Sequence, residues 1–228
     1  MKQNPHAART ALQSWWQSNP VLVQLLGLGP VLAISTSAVS ALGLGAVTLL
    51  LNTVLGALLP TIRRHSEPAM LLPILAVTIA GLATILDLWL QSGFYSLYQR
   101  IGIFVPLLAS QSLIFAFALR LDDDTRPVQG LLQGFALGSA FFAAIVLLGT
   151  TRELLTTGAI FADMNLIVQG ADWRIPILLV ERHFTFIQTA PGAFLCLALV
   201  IACINGWRQR NRHRGALVID DHAGLPRQ

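Results

Sequence analysis

Five stretches of the chain contain no Asp, Glu, Lys or Arg: residues 10–62, 68–86, 101–119, 127–151 and 183–207. Each is close to or above the roughly 20 apolar residues that cross a hydrocarbon core, and the first is long enough to cross twice. Short polar segments separate them: PTIRRHSEP, QSGFYSLYQR and RLDDDTRP. The pattern predicts membrane segments at about 21–38, 39–59, 70–91, 101–120, 128–149 and 187–207. One long connection remains, 150–186, in which RELLTTG reads as a short helix and DMNLIVQGADWRIP as irregular or interfacial. A connection of that length is more often functional than idle.

The first and fourth segments are interrupted. Gly27, Gly29 and Pro30 stand inside the first, although glycine costs about 1 kcal/mol and proline about 3 kcal/mol relative to alanine in a helix interior. The stretch PVLAIST at 30–36 recurs as PLLASQS at 106–112, with Pro, Leu, Ala and the final hydroxyl in register. Each copy follows a glycine-bearing approach, GLG at 27–29 and GIF at 102–104, and each opens a set of three segments. Three is odd, so the second set enters from the opposite side and the halves form inverted repeats. Lipid cannot satisfy backbone groups freed at a break. The two breaks are therefore expected to face each other, or a partner, at mid-depth, where matched interruptions mark a site.

Composition agrees with this layout. The chain has 228 residues, 54% hydrophobic and only 11% charged, with a mean hydropathy of +0.65; soluble domains carry nearer 25% charged residues. The expected fold is an all-α integral membrane protein with six transmembrane helices in two inverted three-helix repeats, the first and fourth helices interrupted. Residues 1–20 read as a cytoplasmic N-terminal segment, 21–207 as the membrane domain and 208–228 as a basic cytoplasmic tail. The opening lacks a short apolar core ending in a small-residue cleavage site, so no cleaved signal peptide is expected. Trp15 and Trp16 read as interfacial anchors.

Charge sets the orientation. With six spans, one side collects Lys2, Arg9, Arg63, Arg64, Arg120, Arg126, Arg208, Arg210, Arg212, Arg214 and Arg227, against Arg100, Arg152, Arg174 and Arg182 on the other. The positive-inside rule then places both termini in the cytoplasm. The run WRQRNRHR is accounted for by anionic lipid headgroups, and no nucleic acid is expected.

Candidate chemistry is sparse. Asp122, Asp123 and Asp124 sit between Arg120 and Arg126 and read as a solvated turn. Asp87 is the one acid inside an apolar segment; it is an ion-path candidate or simply reaches the interface. Arg152 and Glu153 read as an interfacial ion pair or a contact with a neighbouring subunit. Cys196 and Cys203, seven residues apart on one helix, lie about 10 Å apart along its axis, too far to form a disulfide, and read as small buried residues. The five histidines lie outside the apolar cores and show no metal-ligand spacing. Phosphate-loop, nucleophile-elbow and dinucleotide motifs are missing. No catalytic, cofactor-binding or metal-ligating residue is assigned, and the chain alone does not read as an enzyme.

Several stretches resemble one family: NPVLVQLLGLGPVLAIS, SALGLG, LYQRIGIFVPLL, GTTRELLTTGAIF and APGAF. They are similar to the E subunit of the Rnf ion-translocating electron-transport complexes and to its relative, the D subunit of the sodium-pumping NADH:quinone oxidoreductase. The resemblance covers about 18–207, and its specific motifs are Gly149-x-x-Arg152-Glu153 with Gly158 and Phe161, and Pro191-Gly192-Ala193-Phe194. It implies a six-helix subunit of a multi-subunit complex in the bacterial inner membrane, paired with a homologous subunit of opposite topology. It also implies a [2Fe–2S] cluster held by two cysteines from each of the two subunits. At the two family cysteine positions this chain has Gly29 and Ser112. Glycine offers no ligand atom, and a serine hydroxyl must lose its proton to bind iron and is a harder donor than thiolate. No cofactor is therefore expected on this chain. Two other readings of function stay open: a cluster-free scaffold in such a complex, and a stand-alone inverted-repeat transporter.

Overall fold

The computed structural model describes residues 27–121, 125–161, 163–164, 175–176 and 185–223. The described chain is helical apart from one two-residue antiparallel pair. The helices are α1 (Leu28–Ile34), α2 (Ala38–His65), α3 (Leu71–Gly93), α4 (Tyr95–Ile101), α5 (Phe104–Leu107), α6 (Ser112–Arg120), α7 (Pro127–Thr157) and α8 (Ala190–Ala223), with 3-10 turns at Leu108–Ser110 and Thr185–Gln188. β1 (Ala159–Ile160) pairs with β2 (Ile175–Pro176), Ala159 opposite Pro176 and Ile160 opposite Ile175.

Among the described residues, α2, α3 and α7 are long and apolar enough to cross a membrane, and the apolar first part of α8, Ala190–Gly206, is shorter. The second, third and fifth expected segments thus correspond to helices, but α2 and α7 run on beyond them. α7 continues through RELLTT, so the separate short helix expected there is the end of α7. The reason is local. No breaker stands between Gly149 and Thr157, and the stop comes at Gly158, whose N–H closes the last turn on the Leu154 carbonyl at 3.0 Å and whose left-handed φ of 67° then turns the chain out of the helix. Most of the stretch read as irregular, together with Trp15, Trp16, Asp122, Asp123 and Asp124, lies outside the described residues.

α2 and α7 form the centre of the molecule. The Ser37 side chain caps α2 by accepting from Ser40 N at 3.3 Å, while Arg63, Arg64 and His65 lie in its last turn, where cations oppose the helix dipole. Arg63 also donates to Leu119 O at 3.2 Å and to Leu121 O, closing the C-terminal end of α6. The two long helices touch backbone to backbone. A Cβ on Gly130 would lie 2.2 Å from Gly56 O, and one on Gly134 would lie 2.2 Å from Asn52 O. Pro60, four residues after Gly56, has no N–H to give that carbonyl, so Gly56 O is free to face the Cα of Gly130. Close approach of small residues is the usual packing device where lipid removes the hydrophobic drive between helices.

Around this pair lie the fully buried Leu44, Leu51, Leu55, Leu59, Phe141 and Ile145, joined by Leu75 and Ile79 of α3 and by Ile101, Leu108, Leu113 and Ile114 of the interrupted region. α3 is the least covered long helix: 17% of its spanning window is buried against 56% for α2. It leaves Val77, Ile85, Leu88 and Trp89 outward, the composition of a lipid-facing surface.

Candidate functional site

Both interruptions expected from the sequence are present, and they share one cleft. In the first, Gly27 has φ 74° and ψ 22°, α1 runs for seven residues, and the helix is lost at Ser35 before Ser37 starts α2. In the second, α5 gives way to the 3-10 turn, Gln111 is extended (φ −73°, ψ 123°), and Ser112 begins α6. Counting the 3-10 turn as helix, the helical run ends at the same offset in each echoed stretch, five residues after Pro30 (at Ser35) and five after Pro106 (at Gln111), although the α-helix itself already ends at Leu107 in the second. A cleft of about 410 Å³ opens between them, lined by Gly27, Gly29 and Pro30 from one break and by Phe104, Ser110, Gln111 and Ser112 from the other. The two positions singled out by the family resemblance, Gly29 and Ser112, are therefore brought to one site.

The glycines at its edge have different reasons. A Cβ on Gly27 would lie 2.4 Å from Gln111 Nε2, and the positive φ also favours glycine. Around Gly29 nothing stands within 4 Å of an added Cβ. Packing does not force Gly29; the wall is open there.

Arg152 and Glu153 hold this region from behind. Arg152 is 1% exposed and spends its guanidinium on the chain's own groups: Nη1 donates to Leu32 O at 2.9 Å and to Ser35 Oγ at 2.8 Å, Nε to Ile187 O at 3.1 Å, and Nη2 to Gln188 O at 3.0 Å. Nη2 also lies 3.5 Å from Thr189 O. Glu153, 2% exposed, accepts from Ala38 N at 2.7 Å with Oε2. One arginine thus ties the first break to the turn before α8, and the adjacent glutamate fixes the first N–H of α2. Both side chains are enclosed by this chain's own residues, where the sequence suggested an interfacial ion pair or a contact with a neighbouring subunit. Carbonyls orphaned at a helix end need donors, and a planar five-donor fork supplies several at once. The two family motifs meet through that contact, because Pro191 and Gly192 directly follow the turn that Arg152 grips. A Cβ on Gly192 would fall 2.3 Å from Phe186 O.

Other candidates stand apart. Cys196 is buried on α8, but Cys203 is exposed, against the expectation that both are buried; it lies two turns, about 10 Å, further along the helix. Neither thiol lines the cleft. Asp87 is half-buried on α3, and its Oδ1 has no partner among the described residues. Sequence reasoning missed Gln111. The available signal was a lone carboxamide in the apolar run 101–119, at the echo position of Ser35.

The cleft residues do not fit the cluster implied by the resemblance. Its lining holds no sulfur; Gly29 has no donor, and the Ser110 and Ser112 hydroxyls and Gln111 amide are poor iron ligands.

Comparison with known proteins matches residues 7–201 to the family described as "Rnf-Nqr subunit, membrane protein". Among curated relatives, the E subunit of the ion-translocating oxidoreductase complex of Cellvibrio japonicus (strain Ueda107) is 37% identical over 193 residues, 83% of this chain and 81% of the relative. Its namesake from Pseudomonas aeruginosa (strain UCBPP-PA14) is 35% identical over 93% of this chain and 90% of its own length. The one from Pasteurella multocida (strain Pm70) is 34% identical over 88% and 90%. The match spans both helix breaks, the Arg152–Glu153 tie and the turn before α8, and the chain belongs to the Rnf-Nqr family of membrane subunits.

Proposed function

We propose that this chain is a membrane subunit of an Rnf-type complex, which couples electron transfer to ion translocation across the bacterial inner membrane. The observation that carries this reading is the junction of the two helix breaks in one cleft, both inside the stretch 7–201 that the family model matches. Matched failure of the helix at Ser35 and Gln111 supports two inverted three-helix repeats, with six spans over 21–207 and a basic tail over 208–228. The uneven distribution of Arg and Lys supports cytoplasmic termini. The partner is a homologous membrane subunit of opposite topology, alongside the other subunits of the complex and the surrounding lipid. Within that assembly, the lack of sulfur at Gly29 and Ser112 favours a subunit that shapes and holds the complex without itself ligating a cluster.

Two measurements test this reading together. Reporter fusions at the C-terminus and within 60–68 are expected to read cytoplasmic, and fusions within 160–180 periplasmic. Deleting the gene of the partner subunit is expected to deplete this chain from membranes, since the freed backbone around each break costs several kcal/mol per unsatisfied group in lipid. A periplasmic C-terminus would overturn the span count. Undiminished abundance without the partner would favour a stand-alone transporter.

A further inference from the structure

The chain that leaves α7 runs through Gly158 and β1 into a tight turn, where Met164 N–H donates to Phe161 O at 3.3 Å. Phe161 has φ 61°, an outlier for a bulky side chain that lasts only where the surrounding structure fixes it. Restraints stand on both sides of it. Behind it, β1 pairs with β2. Ahead of it, the Asp163 carboxylate meets the Arg100 guanidinium. Arg100 lies in the last turn of α4. From there Gly102 N–H donates to Tyr98 O at 2.7 Å and Val105 N–H to Gly102 O at 3.2 Å, on the way into α5 and the second break. Both breaks are thus tied to the same end of α7, but by unlike contacts. The first is held by the enclosed Arg152. The second is reached through an ion pair whose side chains are 51% and 35% exposed.

We infer that the segment from Gly158 to Met164 is a strap, pinned to α4 by Arg100 and Asp163, which steadies the approach to the second break and is released by salt while the first break stays fixed. The strap belongs to this chain alone and needs no partner subunit. Exposure sets the strength of the pin. A solvent-exposed ion pair biases an equilibrium about fivefold at most. Its attraction is screened as the Debye length falls from about 10 Å at 0.1 M to about 3 Å at 1 M ionic strength. The left-handed Phe161 works against the pin, because a released turn lets that residue return to an ordinary backbone region. Release acts on α4 through Arg100, whose turn carries the Gly102 hydrogen bond. Arg152 does not respond in the same way, because its contacts lie inside the fold, where salt screens little.

The test is hydrogen exchange on the full-length tagged chain, purified from native membranes with whatever subunits accompany it. Amides that reclose quickly exchange in proportion to their open population. Met164 reports the turn, and Gly102 and Val105 report the approach to the second break. Ser35 and Ala41, bonded to Val31 O at 3.2 Å and Ser37 O at 3.1 Å, report the first break. At low salt, Asp163→Asn is expected to speed exchange about threefold at Met164, Gly102 and Val105, and to leave Ser35 and Ala41 unchanged. Raising the salt from about 20 mM to about 500 mM should speed the same three amides in the wild-type chain and add nothing in the variant. On an Arg100→Gln background, Asp163→Asn should have no further effect. Unchanged exchange at all three amides would overturn the inference. Faster exchange at Met164 alone would also overturn it, since the pair would then hold the turn but not the break. So would equal speeding at Ser35 and Ala41, which marks a general loss of stability, or a full Asp163→Asn effect without Arg100.

Discussion

Replacing Arg152 by leucine is expected to remove most of the protein from membranes. The side chain is fully enclosed and donates to Leu32 O, Ser35 Oγ, Ile187 O and Gln188 O. Leucine fills part of the volume and satisfies none of these acceptors, so three part-buried carbonyls and the buried Ser35 hydroxyl lose their donor. A buried acceptor left without its donor costs about 1–3 kcal/mol, so the loss of several together is a large share of the roughly 5–15 kcal/mol that keeps a domain folded. Arg152→Lys keeps the charge but presents a single point, which cannot reach the α1 break and the turn before α8 together; it should give intermediate abundance. Quantitative immunoblots of membrane fractions, with thermal unfolding in detergent, read the series. Equal abundance of Arg152→Leu and wild type would show that the tie does not hold the break.

The second large effect is a gain. The wild-type complex is expected to contain no four-cysteine [2Fe–2S] centre between this chain and its partner, because this side of the cleft supplies no thiolate. Gly29→Cys together with Ser112→Cys should restore iron and acid-labile sulfide, with an EPR signal on reduction, provided the partner keeps its own two cysteines. Gly29 has space for a Cβ and no positive φ, and Ser112→Cys is a one-atom exchange on an exposed residue, so neither change strains the fold. Each single variant supplies three thiolates at most and should bind iron poorly. A full wild-type cluster assigned to this site would contradict the account and point to Ser112 or to another ligand.

The breaks and the family were legible in the sequence; the contacts that hold them were not. Gly27, Gly29 and Pro30, and the echo that begins at Pro106, mark the interruptions because glycine and proline act on the backbone itself. Helix ends were less legible: α7 passes beyond the apolar run to Thr157, since charge at Arg152 and Glu153 looked like a boundary. That is a misreading with a physical cause. Their partners, Leu32, Ser35 and Ala38, lie more than 110 residues away in sequence, and no local pattern reports a contact of that separation. Gln111 was missed for the complementary reason. Its amide oxygen and nitrogen are buried without a hydrogen-bond partner among the described residues, which becomes visible only when its neighbours are placed.

The central claim is that this chain works inside an Rnf-type complex. It is tested most directly by purifying the tagged, full-length chain from its native membranes in mild detergent and measuring subunit stoichiometry. The account predicts one particle containing this chain and a homologous Rnf-Nqr membrane subunit in equal amounts, together with the redox-active subunits of the complex. A well-behaved particle containing this chain alone would contradict it.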